Sequence, residues 1–164
     1  MKSITIILTK YSDPVSNLVH LISGFGYTHV SLGLDTCGNE IYSFNFKGFC
    51  EESFAKHRRR GVKYSRVYQL QISNDSYERL RNRCHYFLEH KSEYHYSLLG
   101  VIFSFLRIPH KRKNYYFCSH FVAELLSIAG VMTLKRPSSL YQPNHFCREL
   151  AHSAQLQRVR FNPI

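Results

Sequence analysis

The stretch Tyr115-Tyr116-Phe117-Cys118-Ser119-His120-Phe121-Val122-Ala123-Glu124-Leu125-Leu126 decides how this chain is read. After Cys118, the apolar residues Phe121, Val122, Leu125, Leu126 and Ala129 recur at helical spacing, and Gly130 supplies a stop. Cys118 therefore falls in the first turn of a predicted helix, behind aromatics that read as a buried lead-in. A thiol there faces unpaired backbone N–H groups and the positive end of the helix dipole. Both favour the thiolate, which is the nucleophilic form. A cysteine in an apolar run is more often a packing residue, so a second observation is needed.

That observation lies far upstream, in Gly26-Tyr27-Thr28-His29-Val30-Ser31-Leu32-Gly33-Leu34-Asp35. His29 opens a strand pattern, Thr36-Cys37-Gly38-Asn39 reads as a turn, and Glu40-Ile41-Tyr42-Ser43-Phe44-Asn45 reads as the return strand. A cysteine on a helix N-terminus with a histidine on a facing strand is the arrangement of papain-like thiol enzymes, here with the histidine first along the chain. Four segments in this order resemble the circularly permuted branch of the NlpC/P60 superfamily, which includes YiiX-like bacterial proteins and lecithin:retinol acyltransferase-like enzymes. They are Tyr27-Thr28-His29-Val30-Ser31, Tyr42-Ser43-Phe44, Phe117-Cys118-Ser119-His120-Phe121-Val122, and the tail from Pro137-Ser138-Ser139-Leu140 to Pro143. The resemblance implies a permuted papain-like fold: α+β, with an antiparallel sheet packed against the helix that carries the nucleophile.

Composition bounds the rest. A chain of 164 residues suits one domain, 1–164, with its own core. Five cysteines without a CxxC pair argue against a disulfide framework or a structural zinc site. With no signal-peptide pattern in Met1 to Lys10, which reads as a first strand, the expected compartment is the cytoplasm. The net charge of +11 implies attraction to something anionic, without saying what. Its local runs, His57-Arg58-Arg59-Arg60 and His110-Lys111-Arg112-Lys113, read as solvated loops.

Between the motifs, Ser12-Asp13-Pro14 starts a predicted helix with Val15, Leu18, Val19 and Ile22 on one face, His20 off it, and Gly24 at its end. Lys47 to Gly61 reads as polar and irregular, with Glu51-Glu52 ahead of the basic run, and is expected as a short helix or a flap. Val62 to Ile72 alternates as a half-buried strand, with Tyr64, Tyr68, Leu70 and Ile72 on one side. Asp75 and Glu78 give a capping-box signal for a helix whose face carries Tyr77, Leu80, Cys84, Phe87 and Leu88. Ser97 to Leu106 is apolar on every side yet too short to span a bilayer, so it is either a buried helix or part of an apolar site. Pro143-Asn144 starts a short helix, and Leu156 to Phe161 a last strand.

The chemistry expected is that of a cysteine hydrolase or acyltransferase acting on an amide or ester through a thioester. His29 takes the Cys118 proton or stabilises a preformed thiolate, and backbone N–H groups at the helix start hold the oxyanion. His120, two residues along the same helix, points elsewhere. The resemblance implies a polar third residue from the strand paired with that of His29. Counting across the hairpin gives Ser43, or Asn45 if a bulge shifts the register; the family often carries His or Glu there. Tyr27 and Ser119 are the expected oxyanion or substrate contacts. No cofactor or metal enters this reading, since Cys118 with His120, Cys84 with His85 and His145 with Cys147 lack ligand spacing. Lipid or small peptide-like acyl substrates fit best, and an anionic membrane surface is a candidate partner. The rival is an inert basic binding module on the same fold, although no nucleic-acid-reading motif is present.

Overall fold

β-Branched and aliphatic residues fill Lys2–Lys10, and this run becomes β1, near the centre of a six-stranded sheet ordered β4-β3-β2-β1-β5-β8. The computed structural model describes residues 1–11 and 26–164, so the helix expected from Ser12 to Gly24, with His20, lies outside the described residues. The strands are β2 (His29–Gly33), β3 (Ile41–Asn45), β4 (Gly48–Glu52), β5 (Tyr64–Ile72) and β8 (Leu156–Phe161), and every neighbouring pair is antiparallel. A separate two-stranded parallel pair joins β6 (His95–Tyr96) to β7 (Tyr115–Tyr116). The helices described are α1 (Phe54–Arg59), α2 (Asn74–Glu89), α3 (Leu98–Phe105), α4 (Cys118–Ile128) and α5 (Pro143–Leu150). This is an α+β architecture.

Strand alternation sorts β1 between two faces. Ile4, Ile6 and Leu8 join Val30, Leu32, Phe44, Tyr68, Leu70 and Ile72 in the main core. Over them lie Leu80, Cys84 and Phe87 of α2, Phe121, Val122, Leu125 and Leu126 of α4, and Phe146 and Leu150 of α5. Each large side chain so buried contributes about 1.5–3 kcal/mol over leaving it in water. The opposite face holds a smaller cluster of Ile7, Ile41 and Val67 under Phe54. Tyr64, expected on the buried side of β5, is exposed because it begins the strand.

Two turns set the geometry that matters for function. Asp35 closes the first hairpin, its carboxylate accepting from the N–H groups of Gly38 (2.9 Å) and Asn39 (3.1 Å). The second lies between Asn45 and Gly48, where the Asn45 Oδ1 accepts from the Lys47 N–H at 2.9 Å. Gly48 has φ +97°, and a Cβ there would come within 2.5 Å of the Tyr94 carbonyl oxygen. Only glycine fits. Of the two expectations for the polar segment Lys47–Gly61, the short helix holds and the flap does not: it folds into β4 and then α1.

Other local expectations need small corrections. The cap of α2 is Ser73, whose hydroxyl accepts from the Ser76 N–H at 3.0 Å, and not Asp75. The basic run 57–60 is the end of α1 with its cap, and His57 within it is fully buried. Helix α3 buries Gly100 and Ser104 while Leu98, Leu99 and Ile102 are exposed. No helix among the described residues is long and apolar enough to cross a membrane.

Candidate active site

Cys118 is the first residue of α4, capped by Phe117 in extended conformation, and is buried. His29 is the first residue of β2 and is also buried. α4 packs on β2 and β3, which brings the two residues, 89 apart in sequence, into side-chain hydrogen-bond contact. The backbone N–H groups of Val30 and Ser119 also lie near enough to the sulfur to favour its charged form. As the first residue of the helix, Cys118 has a backbone N–H with no intrahelical acceptor, aimed past the helix end.

The third group comes from β4. Glu52 is 2 % exposed, and its Oε2 lies 3.1 Å from His29 Nε2. With Nε2 so engaged, Nδ1 is the nitrogen left for the thiol. The same Oε2 accepts from the Ser31 hydroxyl at 2.5 Å, and Oε1 accepts from Arg60 at 3.2 Å. A buried carboxylate needs this many partners to stay ionised.

Behind Glu52 sits a second histidine. His57 Nε2 is 3.6 Å from Glu52 Oε2, beyond a hydrogen bond, while its Nδ1 is bonded to the Tyr11 hydroxyl at 2.5 Å. The Tyr11 ring also stands edge-on to His29, with centroids 5.6 Å apart.

The electrostatics are consistent with one charge state. Burial disfavours a charged His29, but the Glu52 carboxylate and the contact with Cys118 outweigh it and raise the pKa well above the ordinary value. For Cys118, burial pushes upward, yet the hydrogen bond and charge of His29, with the two backbone N–H groups, bring the pKa below that of an ordinary thiol. Burial would raise Glu52 too, but His29, His57 and Ser31 push it down to about 2. His57, by contrast, is lowered by burial to about 4 despite Glu52, so it is neutral at pH 7. The surroundings thus favour a thiolate at Cys118 beside an imidazolium at His29, next to the Glu52 carboxylate.

The residues expected from sequence divide accordingly. Cys118 and His29 meet. Ser43 does not orient the imidazole, because its buried hydroxyl donates to the Val30 carbonyl at 2.7 Å and is thereby used in joining β3 to β2. Asn45, the alternative, closes the β3–β4 turn. The Ser119 hydroxyl is held by the Tyr141 carbonyl at 2.7 Å, so that residue offers its backbone N–H and not its side chain. Tyr27 faces away, with its ring under the Arg66 guanidinium, and lines a polar cavity shared with Asn144 and Arg148. Missed altogether were Glu52, Ser31, His57, Arg60 and Tyr11. The signal that could have found Glu52 is the Asn45–Gly48 turn, which reads as a hairpin and makes the following acidic pair the end of a strand.

Beside Cys118 opens a narrow slot of about 30 Å³, lined by Thr28, Tyr96, Val101, Phe105, Phe117 and Gln142 among others. It is mainly apolar, with room for about one water molecule. No family model matches the chain, and neither does any curated protein.

Proposed function

We propose that the protein is a cysteine hydrolase or acyltransferase with a permuted papain-like fold, acting on an ester or amide through a thioester on Cys118. The observation that carries this reading is the buried row Cys118–His29–Glu52, in which the surroundings favour thiolate and imidazolium together. A packing cysteine has no use for that arrangement, nor does an inert binding module.

The Cys118 thiolate attacks the carbonyl carbon, and the oxyanion forms at the start of α4, where the Cys118 N–H points at it. As the tetrahedral intermediate collapses, His29 gives its proton to the departing alkoxide or amine. Neutral His29 then takes a proton from water, or from an acceptor alcohol or amine, as that group attacks the thioester. Glu52 holds the ring through Nε2 and stabilises its charged form, while Ser31 and Arg60 hold Glu52. The slot beside Cys118 is mainly apolar, which favours an uncharged, apolar group next to the scissile carbonyl over a charged one. All five cysteines are free, which supports a reducing compartment such as the cytoplasm.

The test is incubation with a panel of lipid and peptide esters, followed by mass spectrometry of the intact chain and its peptides. The expected result is an acyl adduct on Cys118 that is absent in Cys118→Ala and His29→Ala. An adduct elsewhere, or none with any donor while the fold is intact, overturns the reading.

A further inference from the structure

Helix α3 is turned inside out. Its small residues, Gly100 and Ser104, face the protein, whereas Leu98 (56 % exposed), Leu99 (58 %), Ile102 (47 %) and Leu106 (61 %) face outward. Leu98, Ile102 and Leu106 follow one another at four-residue spacing, so they form a single row, and Ile108 (48 %) lies just beyond. Packing cannot easily reverse this. A Cβ on Gly100 would meet Ser97 Oγ at 2.6 Å and the Phe117 ring at 3.2 Å, so a larger inner residue would push the helix off its bed. A row of that length exposed to water marks a surface with a partner.

The sequence that continues the row is basic. From residue 97 to 117 there is no acidic side chain, and Arg107, Arg112 and Lys113 are exposed. Lys111 is exposed as well but is bonded to Glu124 at 2.8 Å. Arg112 lies over the Tyr115 ring, 3.9 Å from its centroid, which keeps the guanidinium on this side.

We propose that the outer face of α3 with the 107–113 loop docks on an anionic lipid bilayer. The apolar row enters the interfacial region, and the basic loop meets the headgroups. A second copy of this chain is a poor occupant, because the pairing would bring two basic rims together in a protein of net charge +11. Docking also has a use. The inner edge of α3 supplies Val101, Ser104 and Phe105 to the slot beside Cys118, so one short helix stands between bilayer and nucleophile. The docking itself does not depend on the chemistry at Cys118.

The experiment is co-sedimentation of the full chain with phosphatidylcholine vesicles, alone or mixed with phosphatidylserine, at low and high salt. Binding to the mixed vesicles is expected to be roughly tenfold tighter or more, and weakened by salt. Leu98→Ser/Leu99→Ser/Ile102→Ser changes only exposed positions and is expected to lose binding to both vesicles. Arg107→Glu/Arg112→Glu/Lys113→Glu, which spares the Lys111–Glu124 bond, is expected to lose the preference for phosphatidylserine; thermal melts confirm that each variant folds. Cys118→Ala should bind like wild type, which separates failure of docking from failure of the proposed chemistry. Absence of vesicle binding, equal binding to both vesicle types, or binding unchanged in both variants overturns the proposal. So does a dimer on size exclusion that the triple serine variant dissolves.

Discussion

Two histidine–glutamate pairs flank the first turns of α4, and they differ in what the far side of each imidazole touches. His29 Nε2 lies 3.1 Å from Glu52, and its other face meets the Cys118 thiol. His120 Nε2 lies 3.4 Å from Glu124, one turn along the same helix, and its ring is held between Tyr116 and Phe117. Glu124 also takes the Lys111 ammonium at 2.8 Å and the Tyr116 hydroxyl at 2.7 Å, with the Ser138 hydroxyl at 3.4 Å. That carboxylate ties the 107–113 loop, β7 and the turn at Ser138–Leu140 to α4. The pair by itself is thus no mark of a site. What separates them is a thiol in contact with one ring and aromatic walls around the other.

The comparison breaks most visibly in turnover. His29→Ala should lower ester turnover by a factor on the order of a hundred or more, as for loss of a general base, with the fold retained. His120→Ala should change it by no more than a few-fold. Equal losses in steady-state kinetics would put both histidines in one functional unit and end the distinction.

A finer instrument is the pH dependence of alkylation. Cys118 should react with iodoacetamide ahead of Cys84 and Cys50, whose thiols burial pushes upward, to about 12 for Cys50. Exposed Cys37 is its real competitor. Glu52→Gln removes the charge that raises His29, so the imidazolium and with it the thiolate lose support. The rising limb of rate against pH should move to higher pH, with labelling of Cys118 near neutrality slowed about tenfold or more. Glu124→Gln should leave that limb where it is. If the two glutamine variants shift it alike, the charge on Cys118 is not set by Glu52.

How much of this could be seen beforehand follows from the same contrast. Cys118 and His29 were legible because each begins an element with a strong period, and the start of an element is where a side chain is aimed. Glu52 was not, because hydropathy assigns a glutamate to water, and its 2 % exposure exists only after β4, α1 and β2 have met. His57 was hidden in the same way by three arginines, which read as a solvated run. With α3 the sequence left a buried helix or part of an apolar site open. Val101 and Phe105 do line the slot beside Cys118, but Leu98, Leu99 and Ile102 are in water, so full burial does not hold. The α+β order of elements was legible because it needs only the alternation between periods of two and 3.6 residues.

In stability, the two pairs should trade places. Burial would raise Glu124, but its contacts with His120, Lys111 and Tyr116 hold it well below the usual carboxylate range. Its folded pKa is depressed, so its contribution is present above the unfolded value of about 4.3 and lost as pH falls through that value toward the folded one. Glu124→Gln should therefore cost about 1–3 kcal/mol at pH 7 in urea unfolding. That gap to wild type should close as the pH is lowered below about 4. A gap that is constant from pH 7 to pH 3 would mean that the charge on Glu124 holds nothing.

The smallest effect expected belongs to Ser43, the residue that strand counting favoured for the place beside His29 where Glu52 lies. Continuing the register of Leu32 opposite Tyr42 and Gly33 opposite Ile41 does set Ser43 across from Ser31. Facing the right residue is not enough, because the Ser43 hydroxyl has a single proton and gives it to the Val30 carbonyl at 2.7 Å. Ser31, directly across, is the serine whose hydroxyl reaches Glu52. Ser43→Ala removes one buried hydrogen bond and leaves a carbonyl without that donor, a loss of about 1 kcal/mol in unfolding free energy. Turnover and the alkylation limb should stay within about threefold of wild type, because nothing in the Cys118–His29–Glu52 row loses a partner. Ser31→Ala should do more, since it strips a donor from the buried carboxylate that holds the imidazolium. If Ser43→Ala matches Glu52→Gln in both assays, the imidazole is oriented through β3 and not through β4.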